Sequence, residues 1–184
     1  MNLIFRLLWL FISASKRKRI GLIDESELIL RVLPTDLDIN MHLTNARYLS
    51  MMDLGRTELI IQTGMLRKVF ARRWLPVVAV ANLKFIKQID PFQRFKLITR
   101  VIGWDEKWIY IEQRFEANGK LAAVGVIKGL FRSKSGNVPT KEMLKLADYD
   151  GDAPELPEEY MRIFNRQKTV NGITEKVNEN SRSG

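Results

Sequence analysis

Cysteine is absent from this chain of 184 residues, and histidine occurs once, as His42. The lack of cysteine excludes disulfides, thiolate metal sites and a cysteine nucleophile, and it is compatible with a reducing compartment. With one histidine, a zinc site would consist almost entirely of carboxylates, so we predict no metal centre. The chain also lacks a glycine-rich phosphate loop, a Gly-x-Ser-x-Gly elbow and a dinucleotide fingerprint, which argues against a serine hydrolase or a Rossmann enzyme.

Proline and glycine are scarce, with 6 and 11 residues, whereas 46% of the residues are hydrophobic. A chain of this length and composition can bury a full core, and one domain is the default for it. We predict a hydrophobic and basic segment over residues 1–20, one folded domain over residues 21–167, and a flexible polar tail over residues 168–184.

The net charge of +9 is concentrated at the N-terminus. The first 20 residues contain no acid, and with Arg6 and the run Lys16–Arg19 they carry five of the nine excess charges. The small excess left for the rest of the chain argues against a nucleic-acid-binding face, so we predict no nucleic-acid partner. Basic residues beside an apolar run suit anionic lipid headgroups, where each Lys or Arg contributes roughly 1 kcal/mol.

Residues 1–12 form a nearly continuous apolar run that only Asn2 and Arg6 interrupt. The basic residues follow this run, whereas a secretory signal would place them first. As a helix the run would extend about 20 Å, short of a bilayer core of roughly 30 Å. We therefore expect residues 1–20 to insert partway, or to span a thinned bilayer, and to hold the domain on the cytoplasmic face of a membrane. The alternative is a cytoplasmic protein whose N-terminal helix packs on the domain or on a partner.

The apolar pattern predicts one strand, a long helix and four further strands. The first strand ends near Leu33, and the helix runs from about Thr44 to Gly64, with apolar residues three and four apart. The later strands are expected at residues 76–88, 94–104, 107–117 and 121–132, followed by a polar stretch and a last helix at 158–167. Short connections, among them a hairpin turn at Asn118-Gly119, indicate an antiparallel meander.

Polar side chains are concentrated between the first strand and the long helix. Asp36, Asp38, Asn40, His42 and Asn45 fall within about ten residues. A strand-to-helix turn presents such side chains beside the free N–H groups of the helix start. From the spacing alone, the carboxylates can either take part in catalysis or cap the turn, and for Asp36 we favour a role in the turn.

The segment from Asp36-Leu37-Asp38 through His42-Leu-Thr-Asn45-Ala-Arg-Tyr48 resembles the motif that opens the central helix in hotdog-fold acyl-CoA thioesterases of the 4-hydroxybenzoyl-CoA thioesterase-like branch. The small membrane-anchored proteins of that superfamily also share the Gly103-Trp-Asp-Glu turn and the Pro154-Glu-Leu-Pro157 segment. The resemblance covers about residues 28–132 and that later segment. It implies an α+β hotdog fold, with a curved antiparallel sheet wrapped around one long central helix. It also implies a homodimer or higher oligomer with the acyl-CoA site between subunits.

The resemblance places Asp38 at the position of the catalytic acid. It implies hydrolysis of acyl-CoA or a related acyl-carrier thioester, with no cofactor beyond the CoA of the substrate. The carboxylate would attack the carbonyl or activate water, while N–H groups near residues 44–46 would bind the oxyanion, one such donor contributing ~3 to 4 kcal/mol. Asn45 lies where related enzymes carry Asn or His, and it would orient water or the carbonyl, or else bond to local backbone. Thr44 departs from the frequent His-x-Asn-Asn form, and a general-base His is missing at position 45.

Two further residues of the turn are candidates for supporting roles. His42 would protonate the leaving thiolate or position Asp38, and a purely structural role is the alternative. Asn40 would either bind pantetheine or, as we favour, occupy a left-handed backbone conformation.

Asp53 and Glu58 are second-choice catalytic acids, because another hotdog branch uses a carboxylate of the central helix. For Glu58 the alternative is a salt bridge or an exposed position beside Arg56. The basic residues of 67–73, with Lys84 and Lys87, can contact CoA phosphates, although we favour a solvated surface for them. The rival function for the whole chain is a noncatalytic acyl-lipid or protein-binding module that keeps the fold.

Overall fold

The computed structural model describes residues 2–164, and the polar tail predicted for residues 168–184 lies outside this range. Its strands are β1 (Ser26–Arg31), β2 (Leu75–Phe85), β3 (Arg94–Trp104), β4 (Ile109–Ala117), β5 (Lys120–Ser133) and β6 (Gly136–Asn137). They form a sheet in the order β1-β3-β4-β5-β2, with β6 beside β5. Every pairing is antiparallel. The sheet is a curled half-barrel, so the predicted α+β hotdog fold is confirmed.

The predicted strands agree with the observed ones to within a few residues. Strands β4 and β5 are joined at Asn118-Gly119, where both residues have positive φ angles of 51° and 69°. These angles are those of a two-residue hairpin turn, which Asn and Gly adopt with little strain. The short connections are therefore the reason why β3, β4 and β5 lie side by side in chain order.

Helix α2 (Asn45–Gln62) lies inside the curved sheet. Thr44 caps its start, because the Thr44 hydroxyl accepts a hydrogen bond from the Arg47 N–H at 3.3 Å. Gly64 follows its end with a φ of 76°, as expected for a glycine that terminates a helix. The helix lies very close to the sheet at Gly55, where an added Cβ would be 2.7 Å from both Gln113 Nε2 and Thr99 Oγ1.

Two short helices are absent from the prediction. Helix α3 (Leu66–Ala71) follows α2, and helix α4 (Thr140–Leu146) buries Met143 and Leu146 against the side of the domain. A last helix, α5, begins at residue 158 and is described as far as residue 164, within the predicted 158–167. It covers part of the outer face of the sheet, where Phe164 packs on Tyr110 with ring centroids 4.9 Å apart.

Helix α1 (Asn2–Ser13) packs along the domain with one of its two apolar faces. Leu10 is buried in the main core, and Leu3, Leu7 and Phe11 pack against that core. The opposite face is exposed at Ile4, Phe5, Leu8, Trp9 and Ile12. The inner face of α1 therefore packs on the domain, as in the alternative to free membrane insertion. None of the helices described between residues 2 and 164 has the length and apolar character needed to cross a bilayer.

Candidate active site

The turn between β1 and α2 is built as a closed loop. A 3₁₀ turn at Pro34–Asp36 is followed by an isolated antiparallel bridge between Leu37 and Leu43. Within this bridge the Asp38 N–H donates to the His42 carbonyl at 2.9 Å, and the Met41 N–H donates to the Asp38 carbonyl at 3.1 Å. Asp38 therefore lies on an ordered turn at the surface, with its backbone paired on both sides.

The Asp38 carboxylate is held by one of its two oxygens. Oδ1 accepts hydrogen bonds from the N–H groups of Asn40 at 2.8 Å and His42 at 3.1 Å. Oδ2 accepts no hydrogen bond from the part of the chain that the structure describes. Two backbone donors on one oxygen fix the orientation of the carboxylate. The arrangement presents one oriented, uncommitted carboxylate oxygen at the surface.

The favoured interpretation of Asn40 is wrong. The left-handed backbone position in the turn is Met41, with a φ of 59°, and Asn40 has no positive φ. The reason is the hydrogen bonding of Asp38, whose carboxylate draws the Asn40 N–H inward so that the chain reverses one residue later. Asn40 is left with its side chain exposed.

An open pocket of about 490 Å³ brings the predicted residues of the turn together. Asp38, Asn40, His42 and Asn45 all line it. The opposite wall comes from residues 85–88 at the end of β2, and of these Lys87 alone was a candidate from the sequence. The pocket thus combines a carboxylate, three amides, an imidazole and an amine.

Tyr48 forms the inner wall of this pocket. Its ring meets those of Phe85 and Phe115 edge to face, with centroids 5.0 Å and 4.8 Å apart. Burial raises the pKa of Tyr48 to about 12, so the phenol stays protonated throughout the physiological range. Tyr48 closes the motif in the sequence, and its pairing with Phe85 is what brings the end of β2 to the turn.

The start of α2 offers fewer free donors than the sequence predicts. The Thr44 N–H is already used, since it donates to the Asp36 carbonyl at 3.0 Å. The Arg47 N–H donates to the capping Thr44. Within the described residues, the N–H groups of Asn45 and Ala46 make no hydrogen bond, and these two point out of the first turn of the helix as oxyanion donors would.

Asp36 is a structural residue of the turn, as predicted. Its side chain is wholly buried, and Oδ2 accepts hydrogen bonds from the Leu33 N–H at 2.9 Å and from Arg6 at 2.7 Å. Arg47 lies on the other side, with Nε 3.6 Å from Oδ1. A carboxylate that is enclosed by two arginines and removed from solvent is unavailable to a substrate.

The second-choice acids lie apart from this pocket. Asp53 is exposed and bonds to Arg56 on the next turn of α2. Glu58 is wholly buried, with Oε1 3.2 Å from Arg17 Nε and 2.8 Å from Gln62 Nε2. Burial raises the pKa of Glu58, although Arg17 and the hydrogen bond from Gln62 oppose the shift. The structure therefore does not bring either acid together with Asp38.

An apolar cavity of about 70 Å³ lies between the second half of α2 and the sheet. Leu59, Ile60, Val101 and Met143 are among its lining residues, and Pro76–Val78 at the start of β2 form its outer wall. This cavity contains little polar surface beyond Arg56 and Thr63, so it suits an aliphatic or aromatic group rather than a charged one. No cluster of three or more residues that could hold a metal ion occurs within residues 2–164.

Residues 32–164 match the thioesterase-like superfamily. The chain belongs to the thioesterase-like superfamily. The protein THEM6 of Drosophila melanogaster is 32% identical over 127 residues, covering 67% of this chain and 64% of that protein. The probable thioesterase YBR096W of Saccharomyces cerevisiae is 26% identical over 136 residues, covering 71% of this chain and 59% of that protein. The chain thus spans about three fifths of the length of these curated relatives.

Solved structures of other proteins share the fold. The probable thioesterase YbaW of Escherichia coli superposes with a TM-score of 0.61 at 17% identity, covering 66% of this chain and 95% of that one. At this identity the likeness shows the fold alone. The match with the superfamily begins at Val32, so α1 and the basic segment lie before it and the Asp38 turn lies inside it.

Proposed function

We propose that this protein hydrolyses acyl-CoA or a related acyl-carrier thioester and that Asp38 is the catalytic carboxylate. The observation that carries the proposal is the state of Asp38 in the open pocket: Oδ1 is fixed by two backbone N–H groups, and Oδ2 is left uncommitted. Membership of the thioesterase-like superfamily and the similarity to a probable thioesterase support the same reaction. The reaction needs no cofactor beyond the CoA of the substrate.

The carboxylate can act in two ways. Oδ2 can attack the thioester carbonyl, so that the C–S bond breaks, the thiolate leaves, and water then cleaves the resulting mixed anhydride. Alternatively, Oδ2 accepts a proton from a water molecule that attacks the same carbonyl. In both routes we propose that His42, which lines the same pocket, protonates the departing thiolate.

The first turn of α2 would stabilise the oxyanion. The free N–H groups of Asn45 and Ala46 and the Asn45 side-chain amide are donors beside the pocket, and the helix dipole favours negative charge there. The anionic CoA moiety has a matching cation in Lys87 on the opposite wall. Asn40 is exposed beside the pocket entrance, where its amide is available to the pantetheine amides.

We further propose a homodimer formed through β2. This strand pairs with β5 on one side and is an edge of the described sheet on the other, over eleven residues. A long edge strand with exposed apolar residues is a template for pairing with a second copy. Antiparallel pairing about a twofold axis would bring residues 76–78 of one protomer towards residues 85–88 of its partner. The apolar cavity of one subunit would then lie near the Asp38 pocket of the other, giving space for the acyl chain.

We also propose that α1 binds the cytoplasmic face of a membrane with its outer face. The exposed side chains of that face are large and apolar, and Ile4 and Ile12 are 68% and 79% exposed. The basic run Lys16–Arg19 follows directly. Because the inner face is occupied by the domain, the helix would lie in the membrane surface rather than insert end-on. A membrane position would suit a long-chain, poorly soluble substrate.

The test is release of free thiol from acyl-CoAs of graded chain length by the full-length chain and by Asp38→Asn. We expect turnover by the wild-type chain and its loss in Asp38→Asn, whose amide oxygen can still accept the two backbone hydrogen bonds. Binding of acyl-CoA without turnover by the wild-type chain would instead favour the noncatalytic acyl-lipid-binding module.

A further inference from the structure

The N-terminal helix reaches the Asp38 turn through one side chain, Arg6. Its guanidinium donates to Asp36 Oδ2 at 2.7 Å and to the Arg31 carbonyl at 2.9 Å. The Arg6 side chain is mostly covered, and the Asp36 side chain is wholly buried. A buried carboxylate is unfavourable unless it is paired and hydrogen-bonded. Helix α1 is thus joined to the turn by a buried charge pair in addition to its apolar packing.

Asp36 in turn fixes both ends of the loop that contains Asp38. Its carboxylate accepts the Leu33 N–H at 2.9 Å, which holds the chain where it leaves β1. Its carbonyl accepts the Thr44 N–H at 3.0 Å, which holds the start of α2. Asp38 lies between these two attachments, only two residues beyond Asp36. A shift of Asp36 would therefore move the Asp38 carboxylate relative to the helix N–H groups.

Arg47 does not duplicate the role of Arg6. Its Nε is 3.6 Å from Asp36 Oδ1, and Oδ1 is a buried atom with no hydrogen-bond partner. The Arg47 guanidinium donates instead to the Thr35 carbonyl at 3.1 Å. Within residues 2–164, Arg6 is thus the side chain that makes the hydrogen-bonded ion pair with Asp36.

We propose that Arg6 is a positioning residue for Asp38 and that the seated helix α1 is part of the catalytic unit. This inference rests on the proposed function, in which Asp38 does the chemistry. Arg6 touches neither the substrate nor the pocket, and it acts by holding Asp36 and hence the loop from Leu33 to Thr44. Its contribution should appear chiefly in kcat, because the loop carries Asp38, whereas Lys87 and the apolar cavity, which would bind the CoA and acyl groups, lie outside the loop.

The test compares Arg6→Met with Arg114→Met in the full-length chain. Arg114 is a matched control, because it forms a partly buried ion pair with Glu112 at 2.9 Å on strand β4, away from the Asp38 pocket. We expect Arg6→Met to lower kcat roughly 10- to 100-fold with little change in KM. Arg114→Met should keep kcat near the wild-type value, even if both variants are less stable. Equal kcat for Arg6→Met and the wild-type chain would overturn the proposal.

Hydrogen–deuterium exchange gives a second readout that does not depend on turnover. In Arg6→Met the amides of a peptide spanning residues 33–44 should exchange roughly tenfold faster, whereas Arg114→Met should leave that peptide unchanged. Unchanged exchange in Arg6→Met would refute the proposal that Arg6 holds this loop in place. If exchange is faster in Arg6→Met but the wild-type chain hydrolyses no thioester, the result would support the role of Arg6 in holding the loop and refute the proposed function. Should Arg6→Met fail to fold, Arg6→Gln, which keeps a donor but no charge, undergoes the same two measurements with the same expected directions.

Discussion

Asp38 and His42 are joined twice through the backbone. The Asp38 N–H donates to the His42 carbonyl at 2.9 Å, and the His42 N–H donates to Asp38 Oδ1 at 3.1 Å. The three-residue loop between them is therefore closed by hydrogen bonds that involve the catalytic candidate itself. This closure accounts for an oriented carboxylate on a surface turn, where an Asp side chain would otherwise rotate freely.

The apolar outer face of α1 leads to a prediction about membranes. Ile4→Ser combined with Ile12→Ser should abolish binding to vesicles that contain phosphatidylserine, because the two residues are exposed and supply apolar area to the surface. Stability should stay within about 0.5 kcal/mol of the wild-type value, since neither side chain is in the core. Flotation with vesicles measures the first effect, and urea unfolding measures the second. Unchanged flotation of the double variant would rule out this face as the membrane contact.

The edge strand β2 leads to a prediction about assembly. Val78→Asp should shift the protein from dimer to monomer, because it places a charge from each protomer on the apolar edge that the paired strands would otherwise cover. Ile29→Asp is the matched control, since Ile29 is an exposed apolar residue of β1 at the opposite edge of the sheet. Sedimentation velocity measures both. A wild-type monomer, or a Val78→Asp dimer, would contradict pairing through β2.

The outer face of the sheet leads to a prediction about acid stability. Burial raises the pKa of Glu112, but hydrogen bonds from Tyr160, Arg100 and Arg114 outweigh burial, and the net shift is downward. A carboxyl whose pKa is lower in the folded state stabilises the fold above its unfolded pKa, and this contribution is lost as the pH falls through the folded pKa. Stability should therefore fall below about pH 4.3, and less steeply in Glu112→Gln. Urea unfolding between pH 3 and 7 measures this, and parallel pH curves for both chains would contradict it.

Much of the fold follows from local sequence signals. Strands β3 to β5 are rich in β-branched and aromatic residues and are separated by short turns, and Asn118-Gly119 has the backbone that its residue types favour. Helices α3 and α4 have six and seven residues, too few to show a helical period, and packing stabilises them rather than propensity. Residues 158–164 lie within the predicted last helix, whereas the contact of Phe164 with Tyr110 depends on the folded sheet.

The candidate site was predictable where its residues are close in sequence. Asp38, His42 and Asn45 belong to one turn, so their proximity in the pocket follows from the chain itself. The wall at residues 85–88 comes from another strand, which Tyr48 reaches by packing on Phe85. Its place at the site depends on tertiary packing that a single sequence does not display.

Two details depend on competition between hydrogen-bond partners. The left-handed residue is Met41 rather than Asn40, because the Asp38 carboxylate takes the Asn40 N–H. The Thr44 N–H donates to the Asp36 carbonyl, and the Asp36 side chain pairs with Arg6, which lies 30 residues earlier in the chain. Choices of this kind cannot be read from residue types, since each donor has several acceptors within reach.

The most direct test of the central claim is a comparison of kcat/KM for acyl-CoA hydrolysis among Asp38→Asn, Asp53→Asn and Glu58→Gln, with folding of each variant verified by circular dichroism. We expect Asp38→Asn to lower kcat/KM at least about 100-fold, because an amide NH2 group replaces the free Oδ2. Asp53→Asn and Glu58→Gln should keep turnover within about threefold of the wild-type value, since neither carboxylate reaches the pocket. Wild-type rates in Asp38→Asn, with loss of turnover in either helix variant, would refute a catalytic role for Asp38 and assign catalysis to a carboxylate of α2.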